Sequence, residues 1–323
     1  VVGYSLGGGL SWLSRRYGLA ANHITAIELV TADGAHLRTD KENHPDLFWA
    51  LRGGGGSFGV VTAIEIELFP IEHVYAGAMF WPVERAREVL QSWREWTLRD
   101  LPDEIISVAR ILNPPPLPEV PEPVRGRKFV VVEAMYLGEE QEGAELLAEL
   151  RALEPELDTF ATIPAVALGH LHMDPEHPVA GKGDGMLVGS ASAEMVDAFV
   201  DAATGESGSA LLSAELRQLG GAIARPAAEH GATGSIEAPY AMFAVGAAPL
   251  PEVLEAVKTQ VAGVKRALAP WDAGHGYMNF TEKATDSRNH YEHEYTHRRL
   301  QAVKARYDAG DVIQSNHPIA PAR

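Results

Sequence analysis

Several groups of side chains have the types and spacings that chemistry needs. Two are glycine runs, Gly3-Tyr4-Ser5-Leu6-Gly7-Gly8-Gly9 and Gly53-Gly54-Gly55-Gly56-Ser57-Phe58-Gly59. Glycine lets main-chain N–H groups approach a ligand closely and adopt positive φ. N–H groups clustered near a helix start suit a pyrophosphate. Neither run is a P-loop, because no Gly-Lys-Ser/Thr follows, and neither is the G-x-G-x-x-G of a dinucleotide-binding βαβ unit. Tight turns between strands are the plainer reading of both. A third group, His293-Glu294-Tyr295-Thr296-His297, is a literal H-E-x-x-H. On a helix its two imidazoles share a face, with Glu294 as the base of a zinc hydrolase. No Glu follows Glu294, however, and His317 is the only downstream imidazole. The expectation is therefore a solvated helix face and no metal. His170, His172 and His177 sit in a stretch bordered by Pro and Gly, which reads as a surface loop before it reads as a metal site. Last, Tyr277-Met278-Asn279 offers a phenol that becomes a base when its pKa is depressed. The same tyrosine in a strand packs with its hydroxyl satisfied.

The elements that must position these groups follow from periodicity. Residues 10–17 carry Leu10, Leu13 and Tyr17 on one helical face, with Gly18 as a C-cap. Residues 24–31 and 36–39 read as a hairpin about Asp33-Gly34, and residues 46–51 as a short helix. In residues 60–69, Ile64, Ile66 and Leu68 alternate with Glu65 and Glu67, which predicts a strand with one wet face. Beyond Pro70, helices are expected at 84–99, 141–153, 194–203, 251–268 and 289–307. Strands are expected at 129–137, 211–219 and 240–247. Residues 113–123 and 170–185 read as loops, and residues 274–280 as a short extended segment. The later strands carry polar residues at alternate positions. That favours an α+β fold with an antiparallel sheet covered by helices on one face over a buried parallel sheet.

Composition narrows the classes. The 323 residues hold 44 Asp and Glu against 27 Lys and Arg, a formal net charge of −17. Such a chain repels a phosphate backbone, and no basic run offsets this, so no nucleic-acid partner is expected. No apolar stretch approaches the ~20 residues of a membrane span. With no cysteine, disulfides, thiolate metal sites and a cysteine nucleophile are excluded within this chain. Val1 opens without a Met or a charged leader, so the natural start is expected upstream, and the compartment, cytoplasmic or secreted, stays open.

The first glycine run, then Arg16-Tyr17-Gly18-Leu19-Ala20, then Asp46-Leu47-Phe48-Trp49-Ala50-Leu51-Arg52 leading through the second run to Val60-Val61-Thr62, together resemble the PCMH-type FAD-linked oxidases related to vanillyl-alcohol oxidase. The tail, from Tyr277-Met278-Asn279-Phe280 through Tyr307 to Ser315-Asn316-His317-Pro318-Ile319, resembles the C-terminal segment of the berberine-bridge-enzyme branch. The likeness covers about residues 1–70 and 270–323. It implies three parts: residues 1–75, the later portion of a PCMH-type FAD-binding domain; 76–270, a substrate domain; and 271–323, a segment returning to the flavin domain. FAD is the implied cofactor, with Gly7, Gly8, Gly9, Gly18, Leu19, Gly54, Gly55, Gly59, Val61, Asn279 and Asn316 as its contacts. Any covalent link to FAD would come from residues this chain does not contain. Asn22-His23 and Ser57 depart from the family's usual Asp-Asn and Asn. Tyr277 is the implied base, removing a hydroxyl proton from a carbohydrate or secondary-metabolite alcohol as hydride passes to flavin N5 and oxygen takes the electrons to give hydrogen peroxide. Glu215 and Arg217, at alternate positions of an expected strand, either meet the substrate or face solvent. The alternatives are a non-catalytic relative of the same fold and, more remotely, a zinc hydrolase.

Overall fold

The computed structural model describes residues 1–118, 120–174, 177–205, 210–248 and 250–323. Positions 119 and 175–176, within two of the expected loops, lie outside the described residues. The chain divides into two compact units, one of Val1–Pro70, Gly220–Glu237 and Gly274–Arg323, the other of Ile71–Leu219 and Ala238–Ala273. Residues 220–237, expected within the middle part, group with the two chain ends.

The first unit opens with two short helices, α1 (Val2–Leu6) and α2 (Ser14–Tyr17), the latter closed by Gly18 at φ 83°. Strands β1 (Ile24–Val30) and β2 (His36–Thr39) pair antiparallel. A third strand, β3 (Val60–Ile66), follows helix α3 (Pro45–Leu51) and pairs on the other side of β1, giving the order β2-β1-β3. The core joins Ile27 and Leu29 of β1 and Leu47 to Leu51 of α3 with Leu300 and Val303 of the C-terminal helix Glu294–Tyr307, and with Ile319. That helix begins five residues later than its periodicity predicts. The expected one-sided wetness of β3 is not found. Ile66 is 49% and Leu68 80% exposed, so the alternation there does not mark a buried face.

The second unit is an eight-stranded antiparallel sheet. Its strands are β4 (His73–Pro82), β5 (Ile105–Leu112), β6 (Phe129–Tyr136), β7 (Leu157–Asp158), β8 (Ala161–Pro164), β9 (Gly181–Val188), β10 (Ser213–Gln218) and β11 (Tyr240–Ala247), in the order β7-β4-β6-β5-β10-β11-β9 with β8 also on β4. Helices α4 (Ala86–Thr97), α7 (Ala193–Thr204) and α8 (Pro251–Leu268) cover one face; the shorter α5 (Glu140–Leu146) and α6 (Ala148–Arg151) lie between β6 and β7. The predicted apolar stripe of α4, Ala86, Val89, Leu90, Trp93 and Trp96, is buried against the sheet. The α+β architecture is thus as expected. Periodicity did not reveal β4, β5, β7, β8 or β9: β4 and β5 are buried on both faces and so lack alternation, β7 and β8 are only two and four residues long, and the glycines of β9 read as loop.

Candidate functional site

A cleft of about 900 Å³ lies within the first unit. Its walls come from three stretches far apart in sequence: Val2, Gly3, Tyr4 and Leu6; Gly55, Gly56, Gly59, Val60 and Val61 of the second glycine run and β3; and the tail with Met278, Asn279, Thr281, Glu282, Ser315, Asn316 and His317. Of the residues implied as cofactor contacts, Gly55, Gly59, Val61, Asn279 and Asn316 line this cleft.

The other glycines lie behind it, and what they share is close packing. A Cβ on Gly7 would sit 1.7 Å from Asn279 Oδ1, and one on Gly8 would meet the Tyr277 ring at 3.1 Å. Gly9 and Gly54 are similarly hemmed in, by Ala20 and Tyr4 and by the Ala50 carbonyl. The amides of Gly7, Gly8, Gly54 and Gly55 donate to the carbonyls of Gly3, Ser5, Ala50 and Leu6. These N–H groups are spent inside the chain, so the glycines bring the tail against both runs rather than present a bare anion nest. Gly18 ends α2, and the fully buried Leu19 packs beneath Gly8.

Tyr277 is 3% exposed and stands behind Asn279. The Asn279 amide nitrogen donates to the Tyr4 carbonyl at 2.8 Å and to the Tyr277 hydroxyl at 3.3 Å. The Ser57 and Ser315 hydroxyls are 2.9 Å apart, and the Ile319 amide donates to Ser57 Oγ. His317 gives its Nε2 proton to the Thr281 carbonyl and packs edge-on against His290 at 4.5 Å between ring centres. Burial, and next the charge of His317, push His290 down to about 4. Sequence reasoning assigned no site role to Met278, Thr281, Ser315 or His317. The signal for Met278 and His317 was their place inside the two tail motifs.

The H-E-x-x-H pattern does not converge. His293 is exposed just before the helix, whereas His297 is buried with Nε2 3.0 Å from Ser287 Oγ. Among the described residues no group of three His, Asp or Glu is placed to hold a metal ion.

In the second unit Glu215 and Arg217 lie on the sheet face away from the helices, with Arg217 Nη2 2.8 Å from Glu215 Oε1. Neither faces solvent, as their side chains are 11% and 16% exposed. Arg110 pairs with the fully buried Glu133 and donates to the His172 carbonyl. His172 Nδ1 is 2.5 Å from Glu133 Oε2, and its Nε2 is 3.0 Å from Arg217 Nη2. Burial opposes ionisation of Glu215, but the charges of Arg217, His172 and Arg110 outweigh it and hold its carboxyl below the ordinary range. Glu215, Arg217 and His172 were named separately from sequence, but their network was not, because its members come from three strands and a loop.

No family model matches the chain. Over 101 residues, 30% of the chain, it is 40% identical to an uncharacterized FAD-linked oxidoreductase of Bacillus subtilis, of which it covers 22%. Over 99% of its length it is 27% identical to an FAD-linked oxidoreductase of Dictyostelium discoideum, of which it covers 68%. A solved structure of the berberine bridge enzyme-like protein 1 of Physcomitrella patens superposes on all of the chain with a TM-score of 0.82 at 19% identity, over 70% of that protein. The chain therefore spans only part of each of these three proteins, and about a fifth of the first.

Proposed function

We propose that this chain, a member of the FAD-linked oxidoreductases with the berberine bridge enzyme-like fold, oxidises a small hydroxylated molecule, a carbohydrate or secondary-metabolite alcohol, and passes the electrons to oxygen. What supports this reading is the convergence, in one cleft, of the second glycine run with Asn279 and Asn316 of the two tail motifs.

The cleft suits FAD in kind. Pockets of several hundred Å³ with apolar walls and a few convergent polar groups hold ligands of that class. Val60, Val61 and Met278 would flank a flat ring, and the amides of Asn279 and Asn316 with the hydroxyls of Thr281 and Ser315 would meet its polar edge. Bound FAD supplies a two-electron acceptor for hydride.

The chain's own part is to move a proton. Tyr277 takes the substrate hydroxyl proton in this reading. A free tyrosine, with a pKa of about 10, is a poor base at neutral pH. Asn279 directs an N–H at that hydroxyl, a bond that would strengthen as negative charge develops on the oxygen. Arg217 and Glu215 are proposed as polar contacts to the substrate on the helix-free face of the second unit. Arg217 would exchange its His172 partner for a substrate oxygen.

The test is a panel of sugars and secondary alcohols offered to the complete protein, with oxygen uptake and peroxide followed together. Equimolar oxygen loss and peroxide gain with one class of alcohol is the expected result. Substrate oxidation that proceeds only with an artificial dye would make the protein a dehydrogenase. No flavin-dependent oxidation at all would favour a non-catalytic member of the fold.

A further inference from the structure

Lys304 is a lysine with no exposed surface, on a helix whose neighbouring basic residues, Arg298, Arg299 and Arg306, reach the surface. An ammonium has three N–H donors, and here three acceptors meet them: the Ser57 carbonyl at 2.8 Å, Asp308 Oδ2 at 2.6 Å and the Ile313 carbonyl at 2.8 Å. Asp311 adds a charge at 3.2 Å. Burial raises the Asp308 pKa, but the bonds from Lys304 and from the amides of Val312 and Ile313 outweigh it and keep the carboxylate ionised.

The three acceptors belong to different pieces of the cleft's support. Ser57 belongs to the second glycine run, and its hydroxyl also meets Ser315 and the Ile319 amide. Ile313 begins the irregular tail that carries Ser315, Asn316 and His317. Asp308 ends the helix. Neither Lys304, Ser57 nor Asp308 lines the cleft, yet the residues they hold, Gly55, Gly56 and Gly59 on one wall and Ser315, Asn316 and His317 on the other, all do.

We propose that Lys304 is a positioning residue for the cofactor, whose ammonium fixes the spacing of the two walls by holding the Ser57 and Ile313 carbonyls on one nitrogen. A charged donor is suited to this task because its bonds to carbonyls are stronger than neutral ones. The rest of the helix supplies no substitute, since Arg299 lies over the Trp49 ring and Arg306 pairs with Asp46. The proposal rests on the reading of the cleft as a flavin site.

The experiment uses the complete protein and three variants, Lys304→Met, Lys304→Arg and Asp308→Asn. Each is measured for flavin per protein after purification and for the shape of the visible flavin spectrum. Unfolding is followed in parallel. Lys304→Met should lower flavin content at least tenfold or blur the spectrum of what remains. Lys304→Arg, which keeps a charged donor, should restore more than half. Asp308→Asn removes the counter-charge but neither carbonyl, so it should lower the unfolding temperature and cost less flavin than Lys304→Met does. Wild-type flavin content and spectrum in Lys304→Met would overturn the proposal, as would an equal loss of flavin in Asp308→Asn. If Lys304→Met is recovered unfolded, Lys304→Gln decides by the same two readouts. A wild-type protein without flavin would instead remove the flavin reading itself.

Discussion

The Asn279 amide nitrogen bridges the Tyr277 hydroxyl, at 3.3 Å, and the Tyr4 carbonyl, at 2.8 Å, and so ties the Tyr-x-Asn motif of the tail to the first glycine run. One side chain both orients the tyrosine and seats the tail, and both consequences can be separated by experiment.

Tyr277→Phe should slow flavin reduction by about 10²–10⁴-fold, the usual worth of a general base. Substrate affinity should change less, because the lost proton transfer belongs to the transition state. Asn279→Ala should leave the tyrosine in place but shift the rising limb of the pH–rate profile upward. Rapid mixing under nitrogen, following flavin bleaching, reads both without the oxygen step. Unchanged reduction in Tyr277→Phe would move the base to an acidic group, with Glu215 first.

Gly7→Ala tests the packing role of the first run. Its Cβ would lie 1.7 Å from Asn279 Oδ1, so the amide must leave Tyr277 and Tyr4. We expect about 1–3 kcal/mol of destabilisation, the usual cost of overpacking, together with a fall in flavin content. Gly34→Ala meets nothing within 4 Å, though its φ of 83° is strained for alanine. It should cost stability alone and leave flavin content unchanged. Denaturant unfolding and the visible spectrum of each variant separate the two effects.

Acid should loosen the tail. His290 is held neutral by burial and then by His317, with a folded pKa near 4 against an ordinary 6.5. The folded state therefore binds fewer protons than the unfolded one. Its stability is fully present above about pH 6.5 and falls as the pH drops toward 4, by roughly 3 kcal/mol from this group. His290→Gln should flatten the dependence between those values, as read from unfolding midpoints at each pH. An equally steep fall in that variant would assign the effect elsewhere.

The buried network of the second unit gives a different signature. Glu133→Gln leaves Arg110 without its buried counter-charge and should cost about 3–5 kcal/mol. Arg217→Lys keeps the charge but moves the nitrogen that meets both His172 and Glu215, Nη2 in the wild type. If Arg217 meets substrate, KM should rise while flavin content stays at the wild-type level. A KM that does not move would leave the pair a purely internal one.

How much of this was legible in the sequence depended on how local each signal was. The α4 stripe, β11 and α8 could be read because one face is dry and the other wet, and β11 and α8 begin and end where their patterns say. In β4 and β5 both faces are buried, so alternation vanished with the contrast that produces it. Residues 220–237 carry no local mark of the unit they join; Arg52 reaches the Glu229 carbonyl and Gly53 leaves room for Thr233 only in three dimensions. The site divided the same way. Tyr277, Asn279 and Asn316 stood in recognisable motifs, and the glycines stood out by composition. Their packing against the tail did not, nor did the buried Lys304, whose i,i+4 spacing to Asp308 looks like any surface pair. His172 read as a mobile loop residue because its partners lie on β5, β6 and β10.

The most direct measurement is the visible absorbance spectrum of the complete protein, recorded before and after acid precipitation and again with substrate under nitrogen. A yellow protein with the bands of oxidised flavin is expected, and those bands should bleach on mixing with an alcohol substrate. Flavin in the supernatant after precipitation would mean non-covalent binding, and flavin in the pellet a covalent link. A colourless protein that releases no flavin and takes up none when FAD is added would contradict the account.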